Sequence, residues 1–183
     1  TTPIGDAKHC FEHYSMVRAD HYVKNPERCV MGAAPTMGQL LRYFGQDTAL
    51  SWLEIQIMTL SELCGAKGKI SSLKAMFGGE KFLGRFGSLK VTELLLYLSY
   101  LAAGKYGHFY GSVDPQRILE WIDNYMSDRN EICQEYDARK AAEEREAEEK
   151  DRRENCVTYD EYLKMKAEGK IDSAGYPRSV IKN

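Results

Sequence analysis

The sequence lacks a CxxC pair, an opening secretory signal, an apolar run long enough to span a bilayer, and any sustained alternation of apolar and polar residues. Each absence excludes something. The five cysteines, Cys10, Cys29, Cys64, Cys133 and Cys156, are odd in number and widely spaced, so they do not read as a disulfide framework. Without a secretory signal they predict free thiols in a reducing cytosol, and hence a cytoplasmic protein. The chain does not open on methionine, which leaves open a segment removed ahead of Thr1. The longest apolar stretch, residues 91–103, is interrupted by Thr92, Glu93 and Ser99 and is shorter than the ~18 residues of a membrane span. It reads as a core helix, with no membrane role. The missing alternation argues against a sheet, and no repeat of solenoid length is visible. The net charge of −2 names no partner, so the distribution of charge matters more than its sum.

What is present is helical periodicity. Ala7, Cys10, Tyr14, Val17 and His21 recur at alternating spacings of three and four, one stripe of a helix that Asn25-Pro26 should end. A loop with Gly32 and Pro35 follows. Thr36 is placed to cap a second helix with Met37, Leu40, Leu41 and Phe44 on one face and Gly45 as its stop. Asp47 is placed to cap a third. Its main stripe is Leu50, Leu53, Ile57, Leu60 and Cys64, with Trp52 and Ile55 on a second face, the pattern of a central helix closed by Gly65. In the 91–103 helix, Leu94, Leu95, Leu98 and Leu101 form the strongest face, and Gly104 stops it.

Asp114-Pro115 is a strong helix start, because aspartate caps and proline fits the first helical position. From there Ile118, Trp121, Ile122, Tyr125, Ile132 and Tyr136 mark a buried stripe. Residues 135–154 then carry nine acids and six bases with few apolar positions. This reads as one helix from Pro115 to about Arg153, packed at its start and solvated later, ~55–60 Å long and projecting. Pairs such as Glu146 with Lys150 and Glu149 with Arg153 would support it. A capping box of Thr158 and Glu161, with Val157 stapled on Tyr162, predicts a short helix to about Ala167, stopped by Gly169 and followed by a loose tail. The expected architecture is all-α: a helical body over 1–134, a charged helical extension over 135–156, and a capped helix with tail over 157–183.

Four constellations bear on chemistry. His9, Cys10, His13, His21 and Cys29 cluster, but their spacing matches no common zinc module, and Cys10 and His21 already belong to the apolar stripe. Ser71 and Lys74 have the S-x-x-K spacing of serine acyl-enzymes without its companion motifs. Gly65, Lys67, Gly68 and Lys69 fall two residues short of a phosphate-binding loop. These patterns predict no metal centre, no cofactor and no catalytic residue. The fourth is a surface. Residues 65–90 hold Lys67, Lys69, Lys74, Lys81, Arg85 and Lys90 against one acid, Glu80, on backbone with six glycines. Such a segment attracts phosphates without reading sequence. Lys105, Tyr106, His108, Phe109 and Tyr110 would add charge and stacking platforms for unpaired bases. Against this stands a merely solvated basic face beside a helix corner whose rings pack inward.

The block Leu89-Lys90-Val91-Thr92-Glu93-Leu94, with residues 106–115 and Arg129-Asn130, resembles uncharacterised proteins of Bacteroidales bacteria and their phages or mobile elements. The resemblance extends over about residues 48–166 and implies no activity. A looser similarity of layout is to phage replisome organisers and helicase loaders, small helical proteins whose C-terminal part grips the replicative helicase. It implies a non-enzymatic, nucleic-acid-associated accessory protein of phage or mobile-element replication. Its contacts with single- or double-stranded DNA would run through Lys67, Lys69, Lys74, Lys81, Arg85, Lys90, Lys105, Tyr106 and His108. The alternative is a protein-interaction adaptor whose terminal helix docks through Tyr159, Tyr162 and Leu163. An enzyme of unknown type, with His108 in a closed pocket, is the third reading. Trp121, Tyr125 and Ile132 would let the long helix pair with a second copy.

Overall fold

Ser15 breaks what periodicity reads as the first helix. In the computed structural model, which describes residues 10, 12–65 and 85–171, Cys10, Glu12 and His13 are helical and the helix stops at Tyr14. The Ser15 hydroxyl accepts the Val17 N–H, and a single 3-10 turn, Met16–Arg18, follows. The break re-aims the side chains. Val17 is 83% exposed and His21 is exposed, while Cys10, Met16 and Tyr22 are buried. Ala7 lies outside the described residues. Helix α1 (Ala19–Lys24) ends at Asn25 as expected, but Pro26 immediately starts α2 (Pro26–Met31), where a loop was expected. Proline ends a helix before it and tolerates the first position of the next, so one residue does both.

Thr36 caps α3 (Met37–Phe44), and Gln39 returns the bond to the Thr36 N–H, a full capping box. Helix α4 (Gln46–Leu63) is not capped by Asp47. Gly45, at φ +81°, is its N-cap, and Asp47 sits inside the first turn. The α4 stripe is buried at Leu53, Ile57 and Leu60, and Trp52 is buried with its indole N–H donated to the Tyr14 carbonyl at 2.9 Å. Ile55 is exposed, however, so α4 is not the centre.

That place belongs to α5 (Val91–Ala102), which buries every residue from Glu93 to Ser99 and packs against α1, α2, α4 and the 3-10 turn. An isolated antiparallel bridge between Thr36 and Lys90 fixes the start of α5 beside the start of α3. It is reinforced by the Met37 N–H to the Leu89 carbonyl and the Val91 N–H to the Pro35 carbonyl. Among the described residues every regular element is helical. The fold is all-α.

Asp114 caps the next helix as expected, accepting the Gln116 N–H at 2.9 Å. The single helix from Pro115 to Arg153 is instead two. Helix α6 (Pro115–Glu120) gives way at Trp121 to α7 (Ile122–Asn155). The chain divides into two units, residues 1–137 and 138–183. In the first, Ile118, Ile122 and Tyr125 join the core of α5. Full burial of Tyr125 removes it as a surface for pairing with a second copy. In the second, Arg139–Glu143, Lys140–Glu144, Lys150–Glu154 and Arg153–Glu149 are ion pairs one turn apart. Lys150 thus turns to Glu154 rather than to Glu146. Helix α8 (Tyr159–Ala167) begins at the expected capping box of Thr158 and Glu161 and ends before Gly169, at φ +66°. Of the expected tail only Ile171 is described, and it is buried; the rest, like the short helices expected around 72–77 and most of 80–86, lies outside the described residues.

Candidate functional site

The corner after α5 sorts its aromatics by direction. Gly104 adopts φ +72°, and the His108 ring lies so close over it that a Cβ there would stand 2.5 Å from Cε1. Gly107, at φ +149°, lets the backbone run against the Trp121 indole, where a Cβ would stand 2.6 Å from the ring. The bend between α6 and α7 falls at this same tryptophan. Between the two glycines, Lys105 and Tyr106 turn toward α7. The Tyr106 hydroxyl donates to Asp128 Oδ2 at 2.6 Å, and its ring packs on Tyr97 and Tyr100. The Lys105 amine pairs with the same Asp128 oxygen at 2.6 Å and stands 4.1 Å above the Tyr100 ring. Beyond Gly107 the rings differ in exposure. Phe109 is half-buried with its ring 5.2 Å from that of Trp121, and Tyr110 is 86% exposed.

One residue further along α7, Arg129 reaches Glu93, which is fully buried in α5. The Arg129 Nε donates to Glu93 Oε1 at 2.5 Å, and Glu93 Oε2 accepts the Lys90 backbone N–H at 2.8 Å. Lys90 turns its amine onto the Val30 carbonyl at 2.5 Å, and the Thr92 hydroxyl donates to the Cys29 carbonyl at 2.7 Å. These two side chains satisfy carbonyls at the end of α2 that the helix itself leaves open. The result is a polar seam joining α2, α5, α7 and the glycine corner.

The seam's electrostatics are those of a fastening. Burial pushes the Cys29 thiol up to about 11, and the negative charge of Glu93 adds to the effect. Cys29 is therefore a protonated thiol at neutral pH and a poor nucleophile. Burial also raises the Tyr106 and Tyr125 phenols. For Asp128, burial opposes the charged form. Hydrogen bonds from Lys105 and Tyr106, with the charge of Lys105, outweigh it and hold the carboxyl below its usual range. Glu93 is fully buried. Among the described residues, no three His, Cys, Asp or Glu side chains are placed to hold a metal ion. Cys10 and Cys29 are buried, and His9 lies outside the described residues. All five cysteines are free. No helix among the described residues is long and apolar enough to cross a membrane.

The expected nucleic-acid contacts therefore divide. Lys67, Lys69, Lys74 and Lys81 lie outside the described residues, as does the Ser71–Lys74 pair. Arg85 is half-exposed and paired with Asp123 at 3.0 Å. Lys90, Lys105 and Tyr106 each contact a protein carbonyl or carboxylate, and Lys105 is exposed. His108 is exposed rather than enclosed in a pocket. The sequence reading missed Asp128, Glu93 and Arg129 as a group. Glu93 and Arg129 were legible only as members of the familiar block, because residues 36 apart share no local period.

Tyr159, Tyr162 and Leu163, the expected partner-binding residues, lie on α8. Helix α8 has no buried residue, Tyr159 is 74% exposed, and Leu163 is exposed. Tyr159 and Tyr162 stack at 6.4 Å, and the Lys166 amine stands 6.0 Å from the Tyr162 ring. Val157, expected to staple onto Tyr162, is itself exposed.

A family model matches residues 79–170, half of the chain, and spans α5, the glycine corner, α6, α7 and α8. The chain belongs to a family of unknown function (DUF6633). The matched region holds Glu93, Lys105, Tyr106, Asp128 and Arg129, so the whole side-chain network from α5 to α7 lies within the DUF6633 span. Helices α1 to α4 precede it. No curated protein and no solved structure matches the chain.

Proposed function

We propose that this DUF6633 protein is an interaction adaptor that binds a partner protein through α8. One observation carries the reading. A helix with its N-terminus fixed by a capping box presents Tyr159, Tyr162, Leu163 and Lys166 at i, i+3, i+4 and i+7, and buries none of them. That is the spacing by which a helix fills an apolar groove, and aromatic anchors dominate such interfaces. The cap matters because a nine-residue helix is marginal in water without it, and ordering it beforehand lowers the cost of docking. The partner is accordingly a protein with an apolar groove that accepts one helical face.

The test is comparative capture from the source cell with the full chain and with Tyr159→Ala/Leu163→Ala. A protein retained by the wild type and lost by the double variant, at unchanged helix content and melting temperature, supports the adaptor. Identical captured sets for the two forms would sink it.

A second reading is favoured by the six bases against one acid in residues 65–90. It is a nucleic-acid-associated accessory role in phage or mobile-element replication, of the helicase-loader kind. Its contacts would run through Lys67, Lys69, Lys74, Lys81, Arg85, Lys90, Lys105, Tyr106 and His108. Anisotropy with labelled single- and double-stranded DNA across a salt series, repeated with Lys67, Lys69 and Lys74 changed to Glu, tests it. Binding that weakens steeply with salt and vanishes in the variant supports this role. Absence of binding at low salt overturns it.

A further inference from the structure

Helix α4 leaves uncovered the second apolar face that its sequence carries. Its inward residues Trp52, Leu53, Ile57 and Leu60 are buried. On the other side Ile55, Met58 and Leu63 are 56%, 57% and 54% exposed, and Glu62 is exposed with them. Ile55, Met58 and Glu62 stand at i, i+3 and i+7, so helix geometry alone places them in one row. The row is bounded. Toward the N-terminus the same positions are Ser51 and Thr48, and after Leu63 the helix ends. Three large apolar side chains gathered on one exposed face, rather than scattered, mark a contact surface.

We propose that this face of α4 receives α8 from a second copy of the chain. The inference rests on the adaptor reading and names its partner. Length, pattern and charge choose this occupant. The stretch from Ile55 to Leu63 matches the nine residues of α8. Tyr159, Tyr162 and Lys166 repeat the i, i+3, i+7 spacing of Ile55, Met58 and Glu62. Laid parallel in one seam, Tyr159 meets Ile55, Tyr162 meets Met58 and Lys166 meets Glu62. Laid antiparallel, Lys166 would fall on Ile55 and Glu62 on Tyr159, which wastes both charges on apolar neighbours. The charges of the two helices are complementary as well. Helix α4 carries Asp47, Glu54 and Glu62 and no base, whereas the last turn of α8 carries Lys164 and Lys166. Both halves of the contact belong to every chain. Two copies can therefore exchange α8, and a closed pair makes the contact twice.

Sedimentation equilibrium of the full chain across a concentration series is the test, and it should show a monomer–dimer equilibrium. Ile55→Gln and Tyr159→Ala, both at exposed positions, should each weaken the dimer about tenfold at unchanged melting temperature. Glu62→Lys and Lys166→Glu should each weaken it about fivefold, and the chain carrying both changes should regain wild-type association to within about twofold. A monomer at every concentration overturns the proposal. So does a dimer indifferent to Ile55→Gln or to Tyr159→Ala. A doubly reversed chain no tighter than the weaker single variant overturns the Lys166–Glu62 contact and with it the parallel seam. The adaptor reading fails separately. A monomeric chain whose Tyr159→Ala/Leu163→Ala form still loses a captured protein leaves α8 serving a foreign partner, whereas a monomer with identical captured sets overturns both.

Discussion

Two arginines of α7 pair with glutamates at the same distance and in opposite surroundings. Arg129 meets Glu93 at 2.5 Å, and Arg153 meets Glu149 at 2.5 Å. The Glu93 side chain is 1% exposed, whereas that of Glu149 is 62% exposed. Distance therefore says little about what either pair contributes. In water both partners of the second pair are solvated whether or not they meet, so their attraction is screened and nearly offset by the order it imposes. In the core Glu93 has no water to fall back on. Its charge is tolerable only because Arg129 and the Lys90 N–H hold it, and losing either partner exposes the desolvation cost. The first pair locates α7 against α5, while the second supports a helix that the surrounding charges already favour.

Breaking the buried pair from the arginine side should do the most damage. Arg129→Met strands the Glu93 carboxylate, with an expected loss of about 3–5 kcal/mol in urea unfolding monitored by circular dichroism. A loss below about 1 kcal/mol would mean that burial adds little to this pair, and the contrast between the two pairs would fail. Breaking it from the other side should cost less. In Glu93→Gln the remaining arginine is partly exposed and the amide oxygen still accepts the Lys90 N–H, so about 1–2 kcal/mol is expected by the same measurement.

Asp128 lies between the two extremes, with its side chain 28% exposed, and makes the contrast titratable. Its folded carboxyl sits below the usual range, so it contributes stability that is fully present above the unfolded value near ~4. That contribution is lost as pH falls through the lower, folded value. The melting temperature of the wild type should exceed that of Asp128→Asn at neutral pH, and the gap should close below the folded value. A gap independent of pH would assign the effect to packing rather than charge. The smallest effect is expected for Glu149→Gln, a change within about 0.5 kcal/mol that shrinks further in high salt. A larger loss would show that the exposed turns of α7 are stabilised by more than local pairing.

The amino-acid sequence by itself determined the features that arise within a few residues of one another. The all-α class follows from apolar spacing. The caps at Thr36, Asp114 and Thr158 follow from side chains that reach an N–H two or three residues on. The Glu149–Arg153 pair and the exposed stripe of α8 are equally local. Only the tertiary structure decided which apolar face is inside and which charge is spent. Periodicity carried the first helix through Ser15 and the long helix through Trp121, because a break set by a hydroxyl or by a glycine backbone pressed on an indole leaves the spacing of side chains intact. Likewise Tyr106 and Tyr110 are the same residue type four positions apart in one glycine-rich corner. One faces Asp128 and the other faces solvent, and the choice is made by α7, a partner that the corner's own residues do not encode.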